Sequence, residues 1–245
     1  MTKRNPTGNP TPVYYRLQIE IQKKIENGQW APGACIPPER SLAETFTVSV
    51  GTVKKAILNL VHEGYLYRIQ GKGTFVAGTT LPRESLRYYR FLRDFNDDEA
   101  RLNVKLLGIQ QIKGKQPHNR YLKLRDNQGL YEIKRVFLLK KKPIVYNVSY
   151  LPQKQFKDLH SSPARVFEKI TLYETLEKNY GVPTIYNREL FGIREANRQI
   201  GDALGVPVGT ALLFIEMLSY TYKDKPYEYR RSYCQTDARA IYREI

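Results

Sequence analysis

The sequence predicts an α+β protein with a small N-terminal module and a larger module behind it. Three observations lead to this prediction. Two short amphipathic helices and a glycine-rich hairpin follow one another within residues 36–76. A segment with Gly and Pro at 78–82 then interrupts the pattern. Beyond it, the chain repeats part of its own sequence at an offset of 83 to 84 residues.

Composition limits the classes of function. The 245 residues suit one large or two ordinary domains, and 41% hydrophobic with 26% charged residues is typical of globular proteins. The formal net charge of +16 favours a polyanionic partner such as nucleic acid. Residues 1–78 hold 10 basic and 5 acidic residues, so the excess charge is spread over both modules and does not locate the binding surface.

Several kinds of site are not expected. No apolar run approaches the roughly 18 residues of a membrane helix, and no signal peptide is visible. We therefore expect a cytoplasmic protein with no membrane partner. Two cysteines and three histidines lack the spacing of metal ligands, so neither a metal site nor a cofactor is predicted.

The first module, residues 1–78, begins with a helix from Val13 that ends at Asn27-Gly28. A second helix is predicted over about 39–46. The third follows Ser49, whose hydroxyl is a good N-cap. Its apolar stripe leaves small, hydroxyl-bearing and basic side chains facing outward: Val50, Gly51, Thr52, Lys54, Lys55 and Asn59. Such an N-terminus, after a short helix and a tight turn, is typical of a recognition helix in the major groove.

A hairpin follows the third helix, with strands over 65–69 and 74–76 and the turn Gln70-Gly71-Lys72-Gly73 between them. Glycine allows a close backbone approach, and Lys72 at the tip suits a phosphate or the minor groove. A nucleotide-binding loop is the rival interpretation. It fails because Lys72 is followed by Gly73 rather than Ser or Thr, and no glycine stands at the required upstream spacing.

The segment from Pro32 to Val76 resembles the winged helix of the GntR family of bacterial regulators. The resemblance rests on Pro32-Gly33, the Pro-x-Glu-Arg segment at 37–40, Leu42-Ala43, Val48-Ser49, Thr52-Val53, Ala56, Leu60, Gly64 and the run Gln70-Gly-Lys-Gly-Thr-Phe-Val76. It implies that DNA-contact positions are occupied by Arg40, Thr52, Lys54, Gln70 and Gly71. The family commonly has Arg directly after the Val-Ser pair, where this chain has Val50 and then Gly51. Valine offers apolar contact, for instance to a thymine methyl, which implies an altered operator sequence.

Residues 79–93 are predicted to form a linker. The aromatic and basic run over 86–95 has two interpretations. It is either a stacking platform for nucleic acid or a connector whose tyrosines pack on the second module.

The second module, residues 94–245, contains the internal repeat. The run Leu106-Leu-Gly-Ile109 recurs as Leu190-Phe-Gly-Ile193, Lys142-Pro143 recurs as Lys225-Pro226, and Ser149-Tyr150 recurs as Ser232-Tyr233. Each copy reads as strand, connection, strand, polar turn and strand, and helices are predicted over 172–180 and 194–204. The repeat predicts an antiparallel sheet with pseudo-two-fold symmetry and helices against one side.

One sheet face of this module is unusually polar. The last strand of the second copy alternates aromatic residues with Glu228, Arg230, Ser232 and Cys234, and the first copy offers Asn147 and Ser149. These polar groups are interpreted either as the lining of a small-ligand site or as a solvated face.

This module resembles the UTRA effector-binding domain of the HutC subfamily, whose fold is that of chorismate lyase. The resemblance rests on Ser149 to Pro152, Leu172-Tyr173 with Tyr180-Gly181, Leu204-Gly205, and Pro226-x-Glu228-Tyr229. Together with the polar face it gives a predicted effector site of Arg93, Arg135, Asn147, Ser149, Glu228, Arg230, Tyr233 and Cys234, with Cys234 or its neighbour Tyr233 at one position. Phe137 and Asn147 depart from the Arg and Glu common in the family, so the class of effector stays open.

These observations predict a sequence-specific DNA-binding regulator. The expected form is a homodimeric repressor that a small-molecule effector releases from a palindromic operator, and the arginines are compatible with an anionic effector. One alternative is an enzyme of the chorismate-lyase fold in which Arg135, Glu228 and Arg230 act on a small anionic substrate. No nucleophile–base pair or cofactor loop is visible, so no catalytic residue is predicted. The other alternative is a basic architectural protein that ignores DNA sequence.

Overall fold

The computed structural model describes residues 11–78, 90–92, 102–168, 172–236 and 240–242. Its first module contains the helices α1 (Val13–Glu26), α2 (Glu39–Thr45) and α3 (Val50–His62), followed by the strands β1 (Leu66–Ile69) and β2 (Gly73–Val76). The two strands form an antiparallel hairpin. The predicted order of helix, turn, helix and wing is confirmed.

One face of α3 forms the centre of this module. Val53, Ala56, Ile57 and Leu60 are each at most 1% exposed, and they pack with Ile21 of α1 and other apolar residues. Their spacing places them on one side of the helix. Burial of that side leaves the other side of α3 facing solvent.

The second module is built on a six-stranded antiparallel sheet in the order β4-β5-β6-β9-β8-β7. Its strands are β4 (Leu102–Ile112), β5 (Leu130–Leu139), β6 (Lys142–Pro152), β7 (Tyr186–Glu195), β8 (Ala211–Thr221) and β9 (Lys225–Cys234). The order is symmetric about the central β6–β9 pair, in which Val148 lies opposite Arg231. These two residues are separated by the repeat offset, so the pseudo-two-fold axis passes between them. The predicted symmetry is therefore present.

Helices lie on both faces of this sheet. The short helices α5 (Ala164–Phe167) and α6 (Tyr173–Tyr180) pack on one face. On the other face lie α4 (His118–Tyr121) and α7 (Arg198–Leu204), one from each repeat. The predicted α+β class is confirmed. The prediction placed the helices against one side of the sheet, whereas they cover both faces. The reason is that the central strands bury side chains on both faces, so both faces need cover.

Part of the predicted linker forms regular structure. The strand β3 (Arg90–Leu92) pairs antiparallel with β10 (Ala240–Tyr242) near the end of the chain. Arg93 and most of the aromatic run over 86–95 lie outside the described residues, so both interpretations of that run stay open. The domain bounds at 78 and 94 stay predictions. Among the described residues, no helix has the length and apolar character needed to cross a membrane.

Candidate DNA interface and effector site

The predicted DNA-contact residues of the first module are accessible. Thr52 is half-buried. The other nine are exposed: Arg40, Ser49, Val50, Gly51, Lys54, Lys55, Gln70, Gly71 and Lys72. The start of α3 is also well defined, because the Ser49 hydroxyl accepts a hydrogen bond from the backbone N–H of Thr52 at 3.1 Å. This cap fixes the residue at which α3 begins, and the N-terminal end of a helix carries a partial positive charge that attracts phosphate.

The two lysines of the recognition helix differ in their surroundings. The Nζ atom of Lys55 lies 4.2 Å from the ring centroid of Tyr14 on α1, in a cation–π arrangement. No such contact is seen for Lys54 among the described residues. Lys54 is therefore the lysine better placed to reach a phosphate.

The wing has the backbone shape that its glycines suggested. Gly71 has φ +73°, and the turn is closed by the N–H of Lys72, which donates to the carbonyl of Ile69 at 3.0 Å. Near the turn of the hairpin, where Arg68 pairs with Thr74, Arg68 forms an ion pair of 3.0 Å with Glu39 of α2. This pair joins the wing to the helix that carries Arg40. No sequence pattern predicts this pair, because the two residues lie far apart along the chain.

The central strands of the second module bring five of the predicted effector-site residues together. We call this set the polar cluster. Arg135, Asn147, Ser149 and Glu228 are 0% exposed, and Arg230 is 3% exposed. Arg135 lies opposite Asn147 in the β5–β6 register, and Ser149 lies opposite Arg230 in the β6–β9 register. The interpretation of this face as a solvated surface is therefore wrong.

A buried ion pair dominates the electrostatics of the polar cluster. Arg230 donates to the Glu228 carboxylate from Nε at 2.9 Å and from Nη2 at 2.6 Å. Burial raises the pKa of the Glu228 carboxyl, but Arg230, Ser149 and Arg135 outweigh this effect and hold that pKa below its usual value. Glu228 is therefore ionised at neutral pH.

Amide and hydroxyl groups complete the polar cluster at the pseudo-two-fold axis. The Nδ2 atom of Asn147 donates to Ser232 at 3.0 Å, and Ser149 donates to Oδ1 of Asn147 at 3.2 Å. Arg135 contacts the backbone of α5 through the Phe167 carbonyl at 3.5 Å. Charged and neutral hydrogen-bonding groups from both repeats thus meet in one place.

Three members of the predicted effector site do not join the polar cluster. Tyr233 lies on the opposite sheet face, packed against Phe214, since side chains alternate along β9. Cys234 lies on the same face as the polar cluster but among apolar neighbours. Burial raises the pKa of its thiol to about 12, which keeps it neutral. Arg93 lies outside the described residues.

Two residues that were not predicted from the sequence complete the polar cluster. The Tyr173 hydroxyl on α6 accepts a hydrogen bond from Arg230 at 2.9 Å. Ser219 on β8 lies 3.4 Å from both the Tyr173 hydroxyl and Oε2 of Glu228. Ser219 is polar although Leu213, Ile215 and Met217 precede it on the same face of β8, and this was the available signal. The contact of Tyr173 depends on how α6 packs, which no local pattern shows.

The described residues contain no group of three or more His, Cys, Asp or Glu side chains able to hold a metal ion. The polar cluster instead offers guanidinium, carboxylate, amide and hydroxyl groups. Such groups suit recognition of a small polar molecule.

Comparisons with known proteins match both modules. Residues 14–76 match the family model of the bacterial regulatory proteins of the gntR family. Residues 99–239, more than half of the chain, match the UTRA domain. The HTH-type transcriptional regulator YurK of Bacillus subtilis (strain 168) is 29% identical over 219 residues, which cover 89% of either chain. The HTH-type transcriptional repressor NagR of the same organism is 26% identical over 229 residues, covering 94% of this chain and 93% of NagR.

Solved structures agree. The ligand-binding domain of a GntR-family transcriptional regulator from Bordetella bronchiseptica has a TM-score of 0.57 at 28% identity and covers 64% of this chain and 99% of its own. The possible transcriptional regulator YydK from Bacillus subtilis has a TM-score of 0.55 at 19% identity, covers 96% of this chain and 100% of its own, and shows the fold alone. These comparisons do not support the enzyme alternative. The chain therefore belongs to the GntR family, in its HutC-type branch, as a DNA-binding transcriptional regulator with a UTRA effector domain.

Proposed function

We propose that this regulator is a repressor that binds a palindromic operator as a homodimer and leaves it when a small anionic ligand occupies the polar cluster. The observation that carries the proposal is the burial of Arg135, Asn147, Ser149, Glu228 and Arg230 together where the two repeats meet. In this proposal residues 1–78 bind DNA, 79–93 link the modules, and 94–245 bind the effector and dimerise.

Each DNA-contact residue has a proposed role. Arg40 binds a phosphate or a guanine, and Thr52 and Lys54 hold the DNA backbone. Val50 contacts a thymine methyl. The roles of the remaining proposed residues follow from their positions: Ser49 and Gly51 shape the start of α3, Lys55 braces α3 against Tyr14 of α1, and Gln70, Gly71 and Lys72 approach the minor groove.

The ligand class follows from the chemistry of the polar cluster. A guanidinium group presents paired N–H donors that match a phosphate or a carboxylate. Arg135 is one such group, and Asn147 and Ser149 beside it can bind hydroxyl or carbonyl groups of the same ligand. Arg230 directs Nε and Nη2 to the Glu228 carboxylate and so orients that side chain within the polar cluster. Repression is proposed by analogy with NagR, which is named a transcriptional repressor.

Release of the protein from DNA requires that the ligand bind two arrangements of the protein with different affinities. A ligand shifts a conformational equilibrium only if it binds one arrangement of the protein more tightly than the other. A dimer holds both half-sites only when its two winged helices have the right spacing. Ligand binding that favours another spacing therefore weakens DNA binding.

The test is a salt titration of the full-length protein against a labelled fragment from upstream of its own gene and against random DNA. We expect the promoter fragment to bind at least ~10³-fold more tightly. Inorganic phosphate, a hexose 6-phosphate and a short dicarboxylate are then added separately. A decrease of at least about fivefold in the affinity for the promoter fragment with one of these anions supports release.

Two results would overturn the proposal. Equal affinity for promoter and random DNA excludes a sequence-specific repressor. A compound that releases wild-type protein and Arg135→Gln equally does not act at the polar cluster. Arg188→Gln on the exposed edge strand is the matched control, which should respond to the compound as wild type does.

A further inference from the structure

The turn between β8 and β9 touches the first module. The ring of Tyr222 stacks on that of Tyr65, with centroids 4.2 Å apart and planes 10° from parallel. Its hydroxyl donates to the carbonyl of Ala77 at 2.8 Å. Tyr222 thus packs on the edge of the winged-helix core although it belongs to the β8–β9 turn of the second module.

The next residue extends this contact to α3. The N–H of Lys223 donates to the carbonyl of Glu63 at 2.9 Å, and its Nζ atom lies 5.4 Å from the Tyr65 ring centroid. Glu63 follows α3 directly, and its carboxylate accepts hydrogen bonds of 2.7 Å from Gln18 and Gln22 of α1. The turn therefore contacts a point where two helices of the first module are joined.

Both strands beside this turn contribute to the polar cluster: β9 carries Glu228 and Arg230, and β8 carries Ser219. Ser219 precedes Tyr222 by three residues, and Glu228 lies opposite Ser219 on β9. At about 3.3 Å per residue, the contact with the first module is ~10 Å from the cluster. The β8–β9 pairing shifts register between Ser219 and Tyr220. Such a bulge bends a strand locally, so a small movement at Ser219 is able to change the direction of the turn.

The pseudo-symmetric turn between β5 and β6 has the same backbone shape. Lys223 and Asp224 have φ of 59° and 50°, and the equivalent Lys140 and Lys141 have φ of 47° and 71°. Lys140 and Lys141 are exposed. The β8–β9 turn thus differs from its equivalent in carrying Tyr222, which contacts the first module.

We infer that Tyr222 and Lys223 form the docking element through which the polar cluster controls the winged helix. This inference rests on the proposed function, because it names how the effector site regulates DNA binding. The docked surface lies at the C-terminal end of α3, whereas the proposed DNA contacts begin at its N-terminus. A helix of 13 residues separates the two ends by ~20 Å. Docking therefore leaves the DNA face open and fixes its orientation.

The first test compares two DNA probes with full-length protein. One is the operator with both half-sites, and the other contains a single half-site. A fixed orientation lowers the entropic cost of binding both half-sites but matters little for one. We expect Tyr222→Ala to weaken binding to the full operator at least about fivefold and to the single half-site less than twofold. Lys141→Ala in the equivalent turn should leave both affinities within twofold.

Each other result overturns the inference. Tyr222→Ala with wild-type affinity for the full operator shows that docking has no role. Loss of both affinities shows that Tyr222 only stabilises the winged helix. If wild-type protein itself does not prefer its operator, the proposed function fails, which is a different outcome.

The second test reads docking directly by hydrogen exchange at the Lys223 amide. Ser219→Ala removes a hydroxyl of the polar cluster next to the turn, and Thr210→Ala removes a hydroxyl outside the cluster, just before β8 at its far end from the turn. We expect Ser219→Ala to change the exchange rate of this amide at least about threefold, and Thr210→Ala to leave it unchanged. Equal rates in wild type and Ser219→Ala would break the proposed link to the cluster. This measurement needs no DNA, so its result stands even if the operator proposal fails.

Discussion

Arg230 holds the Glu228 carboxylate with two hydrogen bonds, although both side chains are almost fully removed from solvent. They lie two residues apart on β9, on the same face, and Arg230 also donates to the Tyr173 hydroxyl. Removing one partner of such a pair leaves an uncompensated buried charge, which costs about 3–5 kcal/mol. This relationship leads to the first prediction.

Glu228→Gln is expected to lower the free energy of unfolding by about 3 kcal/mol, because the Arg230 charge stays buried without its carboxylate. Urea denaturation at pH 7 measures the change. Glu195→Gln, an exposed carboxylate on β7, is the control, with an expected change within about 0.5 kcal/mol. Similar small changes in both variants would show that Arg230 does not depend on Glu228.

The buried side chain of His118 is expected to make the free energy of unfolding depend on pH. It is 3% exposed, and neither ring nitrogen has a hydrogen-bond partner among the described residues. Its ring lies 4.1 Å from that of Tyr150 and 5.0 Å from that of Tyr229. Burial, followed by the charges of Arg231 and Lys115, lowers the pKa of His118 to about 4, and Glu132 opposes this shift.

The sign follows from proton binding. Between the unfolded pKa of about 6.5 and the folded pKa of about 4, the unfolded chain binds a proton that the folded chain does not. The free energy of unfolding is therefore expected to fall as pH drops from 6.5 towards 4, by on the order of 2 kcal/mol. His118→Phe should remove this contribution in urea titrations, and His62→Phe at the exposed end of α3 should keep it. An unchanged slope in His118→Phe would contradict the prediction.

Lys54→Ala is expected to weaken binding to all DNA sites alike, because a phosphate contact carries no sequence information. The slope of log affinity against log salt should decrease by about one. Anisotropy titrations on the operator and on random DNA measure both effects. Lys23→Ala on α1 controls for the loss of one exposed charge, and an equal loss there would contradict a direct contact of Lys54.

Val50→Arg is expected to change the preference among sites rather than the affinity for DNA in general. Arginine at this position offers a bidentate contact to guanine, and each such pair discriminates by about 1–3 kcal/mol. Selection from a randomised duplex library compares the preferred bases for the two proteins. Identical preferred sequences would show that residue 50 does not read a base.

Ser49→Ala is expected to destabilise the first module by about 1 kcal/mol, since the N–H of Thr52 loses its cap. Thermal unfolding measures the change. Thr45→Ala is the matched control, because the Thr45 hydroxyl bonds within its own helix to the Ser41 carbonyl. A larger effect at Thr45 than at Ser49 would show that the cap contributes little.

Local signals predicted the first module closely. The cap at Ser49, the stop at Asn27-Gly28 and the glycines of the wing each act within a few residues, so the ends of α1 and α3 agree with the structure to within a residue or two. The repeat predicted the sheet symmetry for a different reason. Two similar sequences form the same strands, and these strands then occupy equivalent positions on either side of the pseudo-two-fold axis.

The misses concern features that depend on distant residues. Helices α4 and α5 have four residues each, which is too short for an apolar period to be visible. The contacts of Tyr173 and Ser219 with the polar cluster depend on packing between elements far apart in sequence. The choice between Tyr233 and Cys234 was decidable from strand alternation, since Cys234 shares its face with Glu228 and Arg230.

The pseudo-two-fold axis between Val148 and Arg231 has a consequence for how this protein changes during evolution. Positions 147 and 230 are equivalent in the two repeats, yet one holds Asn and the other Arg. A duplicated ancestor with identical halves would have offered a symmetric set of groups at this axis. A substitution in either half alters the same shared site, so a single mutation is enough to make that site fit an asymmetric molecule.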